Sequence, residues 1–212
     1  MIGVPPTAVP TDRRSRRRQE TIEEILRLAT EVMAEEGVGG LSLAAVARRL
    51  GVQPPALYKY FPSLTAIYDV LFRRGQQEHL AAVTAAMDAA PPGMAAVRAG
   101  MEAAGRWSVA NRPLAQLLFW RPVAGFEPTP DAFAPSVEMV ARFGAALRTA
   151  AEIGEIGADG ASEQGVRVVG VLLTGALSQQ MANAPDASFE EGAFTTLLPH
   201  LVDMFVRAHP PG

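Results

Sequence analysis

The sequence predicts an all-α protein: a small N-terminal three-helix domain of helix-turn-helix form, followed by a larger C-terminal helical bundle. Three observations predict it. Apolar residues recur at three- and four-residue spacing through most of the chain. Glycine, proline and capping residues divide that pattern into segments of helical length. No useful stretch alternates apolar and polar residues as a half-buried strand does. With 212 residues, 49% hydrophobic and 19% charged, the chain can build one small and one medium core.

The elements follow in order. Residues 1–12 are rich in proline and small side chains and read as a disordered lead-in. With the first arginines they make a disordered basic arm over 1–14. From 15 to 36, Ile22, Ile25, Leu26, Ala29, Val32 and Met33 share one helical face, and Glu23, Glu24, Arg27, Glu31 and Glu35 take the other. Gly37, Gly39 and Gly40 end that helix. Ser42 then reads as the N-cap of a short helix, Leu43–Leu50. Gly51 permits a sharp turn, and Val52 is expected to turn inward. A second short helix is predicted over 54–60, with proline in its first turn. Val46, Ala47 and Leu50 can meet Leu57 across the turn. A helix this short is held by its neighbours, so its outer face is free to enter a major groove.

Ser63 caps a long predicted helix reaching about 87, with Leu64, Ile67, Tyr68, Leu71, Phe72, Leu80, Val83 and Met87 as its apolar stripe. Further helices are predicted at about 94–110, 113–120, 131–153, 160–182 and 189–208. The segment 121–130 holds three prolines and reads as a loop.

Composition excludes several classes. No cysteine is present, so disulfides, thiolate metal sites and cysteine nucleophiles are ruled out. No apolar run approaches the roughly 20 residues of a membrane helix, and a cytoplasmic location is expected. The net charge of −3 is unevenly spread. Residues 1–62 carry nine basic and seven acidic side chains, and the remainder carry ten and fifteen. A basic head on an acidic body can present one end to a polyanion. His79, His200 and His209 have no ligand spacing and read as surface or helix-end residues, so no metal is expected. Asp131, Glu138, Glu152 and Glu155 form no catalytic pair, and no phosphate-loop, dinucleotide or nucleophile-elbow motif occurs. No catalytic residue and no cofactor is expected, and the chain is read as a non-enzyme.

The stretch 41–72 carries the informative motif. Leu41-Ser42, Ala45-Val46-Ala47, Arg48-Arg49-Leu50-Gly51-Val52 and Leu57-Tyr58-Lys59-Tyr60-Phe61-Pro62-Ser63 together resemble the DNA-binding domain of the TetR (tetracycline-repressor-like) family. The resemblance covers about 15–72. It implies a DNA-binding domain over 15–62 and a helical effector-binding and dimerisation domain over 63–212. It further implies a homodimer on a palindromic operator, usually a repressor released by a small molecule. Family position assigns Tyr58 and Lys59 to DNA phosphates. The expected DNA-binding set is Arg16, Arg17, Ser42, Gln53, Pro54, Pro55, Ala56, Tyr58, Lys59 and Tyr60. Two positions depart from the family. Leu64 stands where many members carry a basic residue, and Ala44 stands where relatives often carry a polar reader. Direct base readout is therefore expected to be sparse, with specificity leaning on DNA shape.

A second, weaker resemblance to one subgroup of the family rests on Trp107, Asn111-Arg112-Pro113, Leu117-Leu118-Phe119 and the run from Arg121 to Pro128. The aromatic cluster there reads either as core or as pocket lining. The expected effector pocket takes Met101, Arg106, Trp107, Phe119, Trp120, Phe126, Phe133 and Phe143, beneath the proline-rich loop. Arg106 or Arg121 would anchor an anionic group, and the effector itself is expected to be hydrophobic. The expected dimer interface is Leu172, Ala176, Phe194, Leu197, Leu198, Leu201 and Phe205, two helices from each copy forming a four-helix bundle. No membrane partner is expected. Two rival classes remain at this point: an all-α enzyme acting on a small molecule, and an architectural protein binding DNA without sequence preference.

Overall fold

The computed structural model describes residues 13–212. The lead-in expected over 1–12 lies outside the described residues. Among those described, eight α-helices follow one another and no strand occurs. They are α1 (Arg13–Glu36), α2 (Leu43–Leu50), α3 (Leu64–Ala89), α4 (Met94–Ala110), α5 (Arg112–Phe119), α6 (Pro130–Glu152), α7 (Glu163–Asn183) and α8 (Leu198–Ala208). The fold is all-α, as the periodicity predicts. The chain divides into two compact units, with the boundary between Ile67 and Tyr68, within α3.

In the first unit α1 packs on α2, and α2 on the 3-10 helix Pro54–Lys59. Ile25, Leu26, Ala29, Val32 and Met33 of α1 are buried, as are Val46 and Ala47 of α2 and Leu57 beyond the turn. α1 starts at Arg13, so the arginines expected at the end of an arm and before the helix are its first turns. Ser42 caps α2, its hydroxyl accepting from the Ala45 N–H at 3.1 Å. Gly51 closes α2 at φ 74°, a left-handed conformation that costs glycine nothing. That closure corrects the reading of Val52. Its N–H returns to the Ala47 carbonyl at 3.0 Å, and its side chain turns outward, 37% exposed.

The second unit is built on α4, which packs against α5, α6, α7 and α8. Val97, Met101 and Ala104 of α4 are buried with Phe143 and Leu147 of α6, Val169, Leu173 and Leu177 of α7, and Leu198, Val202 and Phe205 of α8. The single helix expected over 189–208 is not formed. Helix α8 begins only at Leu198, after a short 3-10 turn, Thr195–Leu197. Pro199 explains the break, because it can accept a place in a first helical turn but not in a helix interior. The preceding loop hangs on buried Gln180, whose side chain accepts from the Phe194 N–H at 3.1 Å and donates to the Ala184 carbonyl at 2.6 Å. His79, expected at the surface, is instead buried on α3.

Candidate nucleic-acid interface

The segment after Gly51 carries most of the residues that the sequence resemblance assigns to DNA contact. Two consecutive prolines without N–H donors start it, and Gln53 before them is held extended. It forms a 3-10 helix, where three residues make a turn, rather than the expected α-helix. The burial pattern follows that period. Leu57 is fully buried, with Pro54 and Tyr60 half-buried at three residues to either side. Gln53, Pro55, Ala56, Tyr58 and Lys59 are exposed, Tyr58 to 57%. Leu57 and Phe61 anchor the element from within. Its outer face holds one side-chain amide, one ammonium, one phenol and apolar methylene and methyl groups.

Arginines from α1 flank this element. The Arg18 guanidinium donates to the Lys59 carbonyl at 3.0 Å and lies over the Tyr60 ring, 5.2 Å from its centroid. The Lys59 ammonium lies 5.7 Å from the same ring. Arg13, Arg14, Arg17, Arg18, Thr21, Lys59 and Tyr60 line a cleft of about 480 Å³. Arg16 is placed differently and pairs with Glu20 at 3.8 Å. Arg49 is committed to structure: it grips Glu35 of α1 with bonds of 3.0 and 2.7 Å and holds that carboxyl below its usual range. Arg48 is exposed. Sequence reasoning missed the part Arg18 plays, since its partner lies 41 residues away and leaves no local signal.

The residues expected to line an effector pocket divide into groups. Met101 and Phe143 are core side chains. Phe126 is buried and, with Phe133, packs on Phe72, at centroid separations of 6.1 and 6.3 Å. Arg106 does not point inward. It lies over the Phe189 ring and pairs with Glu190 and Glu102 at the surface. Arg121 is likewise exposed, stacked over Phe133. Trp107 and Phe119 enclose the buried imidazole of His79, at 4.9 and 5.5 Å. Burial pushes the His79 pKa down to about 4, opposed in part by the nearby Ala104 backbone, and neither ring nitrogen makes a hydrogen bond of good geometry. Trp120 alone of the expected set lines an open groove of about 370 Å³, with Gln116, Pro122, Ser178, Met181 and Ala182. Its indole N–H donates to the Ser178 hydroxyl at 3.0 Å.

The expected dimer residues also divide. Ala176, Leu198 and Phe205 are spent on the core of their own chain, and Phe194 is half-buried in the loop before α8. Leu197 is exposed, and Leu172 and Leu201 are half-buried. Other apolar side chains stand outward on the same helices: Val171 is 67% and Met204 50% exposed. Gly170 and Gly175 of α7 face open space. Among the described residues no group of three or more His, Asp or Glu could hold a metal, and no helix is long and apolar enough to cross a membrane.

Comparison with known proteins follows this geometry. Residues 25–71 match the family model of bacterial regulatory proteins, tetR family. The HTH-type transcriptional regulator Mb1846 of Mycobacterium bovis is 30% identical over 116 residues, 54% of this chain and 50% of that protein. The chain spans at most about half the length of the curated relatives it matches first. Among solved structures, a tetR-family regulatory protein from Rhodococcus RHA1 aligns with a TM-score of 0.67 at 18% identity, over 91% of this chain and 98% of that one. The transcriptional regulator FadR of Bacillus subtilis, solved with stearoyl-CoA, aligns with a TM-score of 0.62 at 13% identity, over 87% and 97%.

Proposed function

We infer that this chain, whose residues 25–71 match the family model of bacterial regulatory proteins, tetR family, is a homodimeric repressor that binds a palindromic operator and is released by a small hydrophobic effector. The observation that carries the DNA reading is the outward row Gln53, Pro55, Ala56, Tyr58 and Lys59, held by buried Leu57 on a capped helix. Tyr58 and Lys59 contact phosphate. Gln53 supplies the one side-chain amide, and Pro55 and Ala56 meet thymine methyls. So few polar readers leave much of the specificity to DNA shape.

Two copies join through the outward faces of α7 and α8, where Val171, Leu172, Leu197, Leu201 and Met204 gather beside the open glycines. The effector lies in the groove at Trp120, an apolar wall with the Gln116 amide and Ser178 hydroxyl as polar groups. FadR, which shares the fold, was solved with stearoyl-CoA. The effector acts by binding one spacing of the paired recognition elements better than the other, and so removes the DNA-competent state.

The test is selection of bound duplexes from a random pool, followed by competition with unselected DNA. A specific regulator enriches a two-fold-symmetric site and keeps it against excess competitor. Enrichment of no sequence would favour a non-specific architectural protein.

A further inference from the structure

We propose that His79 is the hydrogen-bonding anchor of the effector site, reached from the Trp120 groove past the Phe119 ring, and that the effector it selects is uncharged, with a hydroxyl or N–H donor on an apolar body. This deepens the effector reading above and rests on it. Other buried polar side chains of this unit are employed by the chain itself. The Ser108 hydroxyl donates to the Ala104 carbonyl at 2.7 Å, Gln180 holds the loop before α8, and the Thr195 hydroxyl donates to the Phe189 carbonyl at 2.6 Å. His79 is 2% exposed, and among the described residues it alone has buried side-chain nitrogens that make no hydrogen bond of good geometry. A polar group left in that state costs free energy, and native cores seldom keep one without a use.

Three rings form a file from the groove to that imidazole. Trp120 lines the groove of about 370 Å³ with Gln116, Ser178 and Met181. The Phe119 ring meets Trp120 edge to face at 5.9 Å and the imidazole edge to face at 5.5 Å. Trp107 of α4 covers the imidazole from a second side at 4.9 Å. Trp107 and Phe119 are each only half-buried, so the imidazole lies a single ring beneath the surface there. Arg121, two residues beyond Phe119, has a φ of 42°, and no other non-glycine residue among those described has a positive φ. A backbone rotation at that strained point can swing the Phe119 ring off His79.

The surroundings fix the chemistry of the anchor. Burial keeps the ring uncharged, so it holds one N–H and one lone pair. The Ala104 backbone favours a proton on the ring, which leaves the lone pair of the other nitrogen for a donor on the ligand. The arginines of α4, α5 and the following loop are spent elsewhere: Arg98 on Asp203, Arg106 on Glu102 and Glu190, Arg112 on Asp186, and Arg121 on the Phe133 ring. An anion seated at His79 gains no counter-charge from them and loses its water. An alcohol or amide bears no such cost.

The experiment uses the full chain at neutral pH and three probes, 1-octanol, its methyl ether and octanoate, with binding followed by tryptophan emission. Octanol and the ether share an apolar body, and only octanol donates. The wild type is expected to bind octanol about ten-fold more tightly than the ether, the ratio that one hydrogen bond supplies, and octanoate more weakly than octanol. His79→Leu is expected to bind octanol and the ether alike. His79→Gln, which keeps an acceptor, is expected to retain part of the preference. Octanol should also move the nitrogen NMR resonance of the unprotonated His79 nitrogen in the wild type, and the ether should leave it in place. Equal wild-type affinities for octanol and the ether overturn the anchor and leave the effector groove intact. Octanoate bound more tightly than octanol overturns the uncharged class. A preference for octanol that survives His79→Leu overturns the assignment to His79. A wild type that binds none of the three probes overturns the anchor and the effector groove together.

Discussion

His79 is a neutral imidazole closed in by Trp107 and Phe119, with neither nitrogen in a hydrogen bond of good geometry. Its folded pKa of about 4 lies below the ordinary histidine value, so below pH 6.5 the unfolded chain takes up a proton that the folded chain refuses. The stability this group protects is fully present above pH 6.5 and is lost as pH falls toward 4. Between pH 7 and 5 the loss is about 2 kcal/mol. Urea midpoints at the two values should show it, and His79→Leu should flatten that interval; an equal slope in the variant would assign the effect elsewhere. The sequence reading put His79 at the surface; its helical spacing from Phe72 and Val83, both on the apolar stripe and both buried, is the signal that reading passed over. In the N-terminal unit, Lys59 stands on the exposed side of its element, as Tyr58 does. Lys59→Ala should weaken binding to all duplexes alike and reduce the salt slope by about one. A loss confined to one sequence would instead make Lys59 a base reader. Arg18 could not be read this way, because its role exists only once α1 and the reading element are brought together.

At the scale of elements, local chemistry predicted the boundaries well wherever a cap or breaker stood. Ser42 and Ser63 cap α2 and α3 as their positions suggest, with bonds of 3.1 Å each. Ser42→Ala should cost about 1 kcal/mol of stability and fray the first turn of α2. An unchanged denaturation midpoint would show that the tertiary contacts of α2 hold it without the cap. Where prolines cluster, periodicity misled. The 54–60 segment folded as a 3-10 helix and 189–197 did not join α8, because apolar spacing cannot tell an α-helix from a tighter turn. Close approach is equally invisible in sequence. A Cβ on Gly165 would collide with the Gly160 backbone carbonyl, which cannot rotate away as a side chain would. Gly165→Ala should therefore shift the start of α7 and lower the melting temperature by several degrees, as a core strain of about 1 to 3 kcal/mol does. A melting temperature equal to the wild type would show that the loop before α7 yields.

At the scale of the whole chain, two compact units are formed, and the charge is unevenly spread in the sequence, nine basic to seven acidic residues over 1–62 against ten to fifteen in the remainder. Which apolar side chains serve the core and which face outward was not legible. Helices α7 and α8 are apolar on more than one side, and spacing alone assigned Ala176, Leu198 and Phe205 to an interface when each fills the core of its own chain. The outward residues make the better test of assembly. Val171→Asp with Met204→Asp should give a folded monomer by light scattering with unchanged helical content, and a dimer that persists would move the interface elsewhere. The effector reading is tested at Trp120: its fluorescence should respond to acyl or aromatic compounds, and Trp120→Ala should abolish their binding while Phe133→Ala spares it. The central claim, that this chain reads a specific DNA sequence as a two-fold assembly, is tested most directly by selecting duplexes from a random pool and challenging the complex with unselected DNA at physiological salt. The account predicts an inverted-repeat site whose half-sites lie a whole number of helical turns apart, about 34–36 Å each, preferred at least 1,000-fold over random DNA. Binding that falls in step with competitor, with no enriched repeat, would contradict it.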